Sequence, residues 1–288
     1  MNIFVQLTVT GLTNGAILAL AALGFVLIFK STGVINFAQG EFLLIGAYAV
    51  YVGTVAAHWT VGILLGLLVA VVLGVGVERL ILRPLVGQPI IAVIMVTIGL
   101  GIFLRSVVQI IFGNRPLPFP DFIPGGSVNL LGATVPANRL WGIGLAAVTL
   151  AVFTVFFTRS RHGIAMRAVA DDQQAALTMG ISVRRVFAMA WALAAVSAVI
   201  GGMLVANLIG VSGGIIEFGL LVFPVVILGG LDSVPGAMIG GAIVGLLITY
   251  TAGYVGGGLQ SVVPYVVLVG ILLVRPYGLF GQVRIERV

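Results

Sequence analysis

Arg159-Ser-Arg-His-Gly-Ile-Ala-Met-Arg-Ala-Val-Ala-Asp-Asp-Gln-Gln-Ala-Ala-Leu-Thr-Met-Gly-Ile-Ser-Val-Arg-Arg185 interrupts a 288-residue chain that is 60% hydrophobic and only 8% charged. The stretch holds five of the 14 basic residues and two of the 8 acidic ones. Working outward from it, the chain on both sides is apolar in runs long enough to cross a hydrocarbon core about 30 Å thick. That contrast decides the fold class. The chain reads as all-α, a polytopic transmembrane helical bundle with one long charged segment kept in water.

Nine apolar runs carry this reading: Ile3–Phe29, Phe42–Ala57, Val61–Val77, Pro89–Phe112, Leu140–Thr158, Val186–Gly210, Phe218–Leu231, Val234–Gly253 and Leu259–Val274. Several are short, so the expectation is about 8–10 membrane segments, some broken or re-entrant, in a single domain over residues 1–288. The first run is too long for a signal-peptide core and has no basic residues before it, so a removed leader is not expected. Basic residues set the sides. Lys30, Arg79, Arg83, the 159–185 segment, Arg275, Arg284 and Arg287 share the cytosolic face under the positive-inside rule. The N-terminus is then outside, the C-terminus inside, and the proline-rich loop 113–138 external, with Arg115 and Arg139 as mild exceptions. Trp59 and Trp141 fall at the outer interface and Trp191 near the inner one, where amphipathic rings anchor.

The net charge of +6 reflects orientation rather than nucleic-acid binding. With no cysteine and only two histidines, His58 and His162, the sequence offers no metal cluster and no nucleophile–base pairing, and no cofactor is expected. The only lysine, Lys30, follows Phe29, whereas a phosphate-binding loop needs glycine there. The chain is not its own P-loop ATPase. Small-xxx-small pairs such as Gly62/Gly66, Gly236/Gly240 and Gly241/Gly245 read as ordinary close helix packing.

Three places break the apolar pattern. In Lys30–Glu41, Asn36, Gln39 and Glu41 alternate with apolar residues and glycines. The segment is either a broken helix lining a translocation route or a short cytosolic turn. In Leu228–Gly241, Asp232 and Ser233 precede Pro235, as a helix N-cap does, and Asp232 reads as a cap before a proton carrier. Arg105 lies inside the fourth run. It either pairs with a carboxylate, of which Glu217 is one candidate, or snorkels to the outer interface.

Placed on one helix, Gly163–Gly180 puts Ala165, Val169, Ala176 and Met179 on one face and Arg167, Asp171, Gln174 and Thr178 on the other, with Asp172 as the exception. Gly180 suits the position just past a helix end. The segment is a docking element or a solvated orienting loop.

Gly163–Ile181 resembles the cytosolic loop of bacterial branched-chain amino acid ABC transporter permeases of the LivH type. Gly33-Val-Ile-Asn-Phe-Ala-Gln-Gly-Glu41 is similar to that family's signature after the first span, and Leu228–Gly241 to its late glycine-rich motif. The three follow one another in family order. Gln39 departs from the histidine common in relatives, so no protonatable role is assigned there. The resemblance implies a permease without enzymatic activity of its own in the bacterial inner membrane. It would work with a second, LivM-like permease, two cytosolic ATP-binding subunits and a periplasmic substrate-binding protein. It implies that the 159–185 loop couples to the ATPase, through Gly163, Arg167, Asp171, Asp172, Ala176, Met179 and Gly180. Asn36, Gln39, Glu41, Asp232 and Ser233 are candidates for lining the route. Two alternatives are urea, short-chain amide or sugar cargo on the same architecture, and an ion-coupled secondary transporter using Glu41, Arg105 or Asp232 as a relay.

Overall fold

A computed structural model describes residues 2–120, 125–130 and 132–281; Arg284 and Arg287 lie outside the described residues. The fold is helical. α1 (Asn2–Thr32) is followed by α2 (Gln39–Ala56), α3 (Trp59–Val77), α4 (Ile90–Phe112), α5 (Ala137–Arg159), α6 (Arg161–Asp171), α7 (Gln173–Thr178) and α8 (Val183–Ile209). Two short helices, α9 (Ile215–Leu220) and α10 (Val222–Gly229), lead to α11 (Val234–Tyr250) and α12 (Val263–Val274). α3 runs on through a wide turn over Glu78–Leu82 and a tight one over Arg83–Leu85, and α11 runs on through Thr251–Val255.

Six of the nine apolar runs form helices long and apolar enough to cross a membrane by length and composition. The other three account for the difference from the expected eight to ten. α2 opens on Gln39 and Glu41, the run 218–231 is split between α9 and α10, and α12 has only 12 residues. An all-helical reading also leaves out one small feature. Part of the external loop pairs as a two-stranded antiparallel hairpin, β1 (Ser127–Leu130) with β2 (Ala133–Pro136). Leu117 in the same loop pairs with Val211, beyond the end of α8, through reciprocal backbone bonds of 2.9 and 2.8 Å. Here prolines break the helix and let neighbouring backbone pair instead.

α1 sits at the centre of the bundle. From Ile17 to Ile28 its side chains are buried on every face, which suits a helix that is apolar all round. It packs on α8, α11, α5 and α10. The α1–α11 contact is made by glycine: a Cβ on Gly15 would lie 2.7 Å from the Gly241 carbonyl oxygen, and one on Gly245 would collide with the backbone of Gly15. Backbones approach this closely only where side chains are absent. α3, α4 and α5 form the periphery and expose large apolar side chains such as Leu68, Ile110 and Val148, as lipid-facing helices do.

The two ends of the bundle separate by charge. Lys30, Arg167 and Asp232 line one cavity, and Arg83 lines a second with Thr32 and Gln173. The positive-inside rule assigns a basic end of this kind to the cytosolic side. Gln6 donates to the Thr134 carbonyl and Phe4 stacks on Tyr250 at the other end. Trp59 and Trp141 are exposed at helix starts on that outer side, as expected. Trp191 is not an interfacial anchor. It is 1% exposed and packs edge-on against Phe42 in the core, with the small residues Ala190, Ala194 and Ala195 next to it on α8.

Candidate functional site

Gly33, at φ +70°, ends α1, and the chain then turns back into the bundle rather than staying in water. Residues 33–38 are non-helical apart from a turn at 37–38, and the Ile35 carbonyl accepts a bond from Thr97 of α4, seven residues into that helix. Asn36 takes two partners: its Oδ1 accepts from the Ala38 N–H at 3.0 Å and its Nδ2 donates to Gln39 Oε1 at 3.2 Å. Gln39 Nε2 donates to the Ala21 carbonyl, in the buried stretch of α1. Because Ala21 lies nine residues before Lys30, α2 begins about 14 Å up the bundle from that basic end. The alternative of a short cytosolic turn is therefore wrong. A glycine exit and a set of mutually satisfied amides let the chain restart a helix inside the bundle, where unpaired polar groups are costly.

Asn36 and Gln39 are fully buried and bonded, so they build the break. Glu41, one turn on, looks outward from it. Arg105 Nη2 donates to Glu41 Oε1 at 2.9 Å, the guanidinium side chain 44% exposed and the carboxylate 6%. The partner is thus Glu41 and not Glu217, which is exposed on α9, and Arg105 does not need to snorkel. The pair borders a cavity of about 170 Å³ between α2, α4 and α9, walled by Phe37, Gly40, Ile98, Gly101, Ile102 and Leu220 among others. Gly219 of α9 presses on Gly40 so closely that a Cβ on Gly219 would collide with the Gly40 backbone, and one on Gly40 would stand 3.0 Å from the Ile216 carbonyl oxygen.

At the basic end the charged segment is two helices, not one. Ser160 caps α6 by accepting from the Gly163 N–H at 2.9 Å. Asp172 breaks the run and caps α7, accepting from Gln174 and Ala175 N–H groups at 2.8 and 2.9 Å. Asp172, the charged exception on the apolar side of the single-helix reading, is therefore a cap. Gly180 stands just past α7 with φ +80°; its N–H bonds Leu177 and the next N–H, of Ile181, bonds Ala176, a Schellman closure. Val169 and Ala176 are buried as expected, but Met179, the cap residue just past the end of α7, is 81% exposed. Arg167 does not point to water. Its guanidinium donates to the Phe157 and Thr158 carbonyls, satisfying the C-terminal end of α5, and lies over the Phe157 ring. Gly163 is buried where a Cβ would collide with the Phe156 and Phe157 carbonyls. Asp171, Leu177 and Ile164 face outward.

Ser233, not Asp232, is the N-cap of α11, accepting from the Gly236 N–H at 3.0 Å with Pro235 in the first turn. Asp232 and Ser233 line a cavity of about 290 Å³ at the basic end with Lys30 and Arg167, away from the cavity that Glu41 borders. The residues named for the route thus divide into a mid-bundle group and a cytosolic group.

A family model described as the permease component of branched-chain amino acid transport systems matches residues 7–272. The chain belongs to this permease family. The branched-chain amino acid permease LivH of Escherichia coli is 31% identical over 304 residues, 99% of this chain and 98% of that one. LivH of Salmonella typhimurium is 31% identical over the same shares, and BraD of Pseudomonas aeruginosa 29%. A solved chain of PsaBC from Streptococcus pneumoniae, in complex with a Fab, aligns over 96% of this chain and 93% of that one, with a TM-score of 0.51 and 14% identity. That likeness extends to the fold alone. With six apolar spans, the permease is a multi-pass inner-membrane protein.

Sequence reasoning missed one feature of the permease near its cytosolic end. Buried Glu78 takes three bonds from Arg83, Nε to Oε1 at 3.2 Å and Nη2 to both oxygens at 3.1 and 3.0 Å. Positions 78 and 83 lie about 140° apart on an α-helix. They meet because Glu78–Leu82 is wound wider, with the Arg83 N–H reaching the Glu78 carbonyl. No periodicity in the sequence announces that turn.

Proposed function

We propose that this permease is the membrane-spanning subunit of an ATP-binding cassette importer that moves branched-chain amino acids across the bacterial inner membrane. It works with a second, homologous permease, two cytosolic ATP-binding subunits and a periplasmic substrate-binding protein. The observation that carries the reading is the pairing of two features in a chain of this family. One is a polar break that re-enters the bundle and ends on a charged cavity. The other is a capped helix pair, α6–α7, offered at the cytosolic end of a chain with no phosphate loop of its own.

The α6–α7 element is the handle for the ATP-binding subunits in this reading. Its outward residues, Ile164, Asp171, Leu177 and Met179, make the contact. Gly163, Arg167, Asp172, Ala176 and Gly180 hold the element's shape and tie it to α5. A push on α6 then reaches α5 through Arg167 and α8 through the short 179–182 connection.

Purification from native membranes tests the assembly: the ATP-binding subunits, a second permease and the binding protein should be recovered together. Reconstituted with these partners, the complex should take up leucine, isoleucine and valine only with ATP inside the compartment served by the ATP-binding subunits. Uptake that follows an ion gradient without ATP would replace this reading with that of a secondary transporter. ATP-driven uptake of urea or amides but of no branched-chain amino acid would keep the architecture and change the cargo.

A further inference from the structure

We propose that the cavity between α2, α4 and α9 is a transit site for an amino-acid zwitterion, with Arg105 receiving the α-carboxylate and Glu41 the α-ammonium; this rests on the cargo proposed above. Three observations lead there.

The first is the unfinished state of the ion pair. Glu41 and Arg105 share one hydrogen bond, and among the described residues neither Glu41 Oε2 nor the remaining guanidinium N–H groups have another. Arg83 and Glu78 share three in the same protein. A guanidinium can hold two carboxylates through its fork, so Arg105 can accept a ligand carboxylate without releasing Glu41. The free oxygen of Glu41 faces the space beside Gly101, where a Cβ would stand 3.1 Å from it.

The second is the balance of charge. The pair is neutral in sum, and so is an amino-acid zwitterion. A cation or anion alone would leave an uncompensated charge at membrane depth, which is expensive. A zwitterion places each end against an opposite charge. The rest of the wall is aliphatic and aromatic, with Phe37 and the exposed Ile98, Ile102 and Leu220, so the cavity opens on the α4 side of this chain, and it suits a branched apolar side chain. At about 170 Å³ the space is below the ~300 Å³ at which pockets for drug-sized ligands begin.

The third is position. Arg105 lines this cavity and also a narrow one of about 10 Å³ above it, walled by Gln109, Gly113, Asn114 and Gly213 near the outer loops. The outer space is no more than one water in size. Arg105 lines both spaces and so stands between the outer loops and the larger cavity.

The test uses the assembled complex in nanodiscs without the binding protein, so that selection by the latter does not intervene. Binding of radiolabelled L-leucine is measured with isocaproate, which lacks the amine, and isoamylamine, which lacks the carboxylate, as competitors. The site requires saturable leucine binding against which both single-ended analogues compete at least about tenfold more weakly than unlabelled leucine. Arg105→Lys, which keeps the charge but not the fork, should weaken leucine binding about tenfold or more while the complex still assembles. Glu41→Gln should do the same. Equal competition by either analogue overturns the proposal. So does the absence of leucine binding to the wild-type complex, or unchanged binding in both variants. Uptake by the same wild-type complex with its binding protein separates the two readings: leucine uptake with no such site sinks the inference alone, and no branched-chain uptake sinks the cargo assignment and the inference with it.

Discussion

Two carboxylate–guanidinium pairs in this permease use the same chemistry to different ends. Glu78 and Arg83 are five residues apart, share three hydrogen bonds and brace the turn that ends α3. Glu41 and Arg105 are 64 residues apart, share one bond and open on a cavity. The local pair commits Arg83 Nε and Nη2 and both Glu78 oxygens to one another, which leaves only Arg83 Nη1 for another partner although this pair too lines a cavity. The long-range pair keeps more free donors and a free acceptor, and it also joins α2 to α4, so that what occupies it is felt by both helices. On the proposal made above, the first pair braces a turn and the second serves transport.

Replacing both members of each pair by leucine is the strongest way to break that comparison. Buried ion pairs exchanged for apolar residues of similar volume are often neutral or stabilising. Glu41→Leu with Arg105→Leu should therefore leave the complex assembled and lower leucine uptake by more than about tenfold. Glu78→Leu with Arg83→Leu should retain at least about half of the uptake. Equal losses in the two double variants, at equal amounts of complex in the membrane, would erase the distinction.

A substitution that touches neither pair calibrates the effect of simple misfolding. Gly245→Leu forces a side chain into the backbone of Gly15 at the α1–α11 contact. Overpacking of this kind costs about 1–3 kcal/mol and more where backbone is the obstacle. The expected result is a fall in folded permease, measured by detergent-stable yield, larger than that of either leucine pair.

Arg167→Glu sharpens the comparison at the cytosolic end. It removes the guanidinium from the α5 carbonyls and sets a carboxylate beside the negative end of that helix. Transported leucine per ATP hydrolysed should fall several-fold, with insertion intact. An unchanged ratio would mean that α6 is not tied to α5 in the transport cycle. The smallest effects belong to the caps. Asp172→Ala should cost α7 about 0.5–2 kcal/mol, visible as faster amide hydrogen exchange at Gln174 and Ala175 with little change in uptake. If exchange is unchanged, Asp172 does not hold the break between α6 and α7.

Much of this permease is readable without its fold. Long apolar runs demand helices in lipid because no water is there to satisfy an open backbone. Basic residues set the sides, and Gly180 and the Asp232–Pro235 segment mark helix ends to within a residue. The same local rules fail at Asp172, where an aspartate inside an apparent helix was a cap, and at Trp191, where an interfacial residue type was core. They fail at Arg167 because a long side chain can fold back onto a neighbouring helix, which periodicity does not record.

By itself the sequence determined the class of the molecule, its helix count to within the broken segments, and the polarity of residues 36–41. Those follow from hydrophobicity and from local backbone chemistry, which act over a few residues. Only the tertiary structure decided that the polar segment re-enters the bundle, that Glu41 meets Arg105 rather than Glu217, and that the pair borders a cavity. Such pairings join positions far apart in the chain, and they are selected by how whole helices pack.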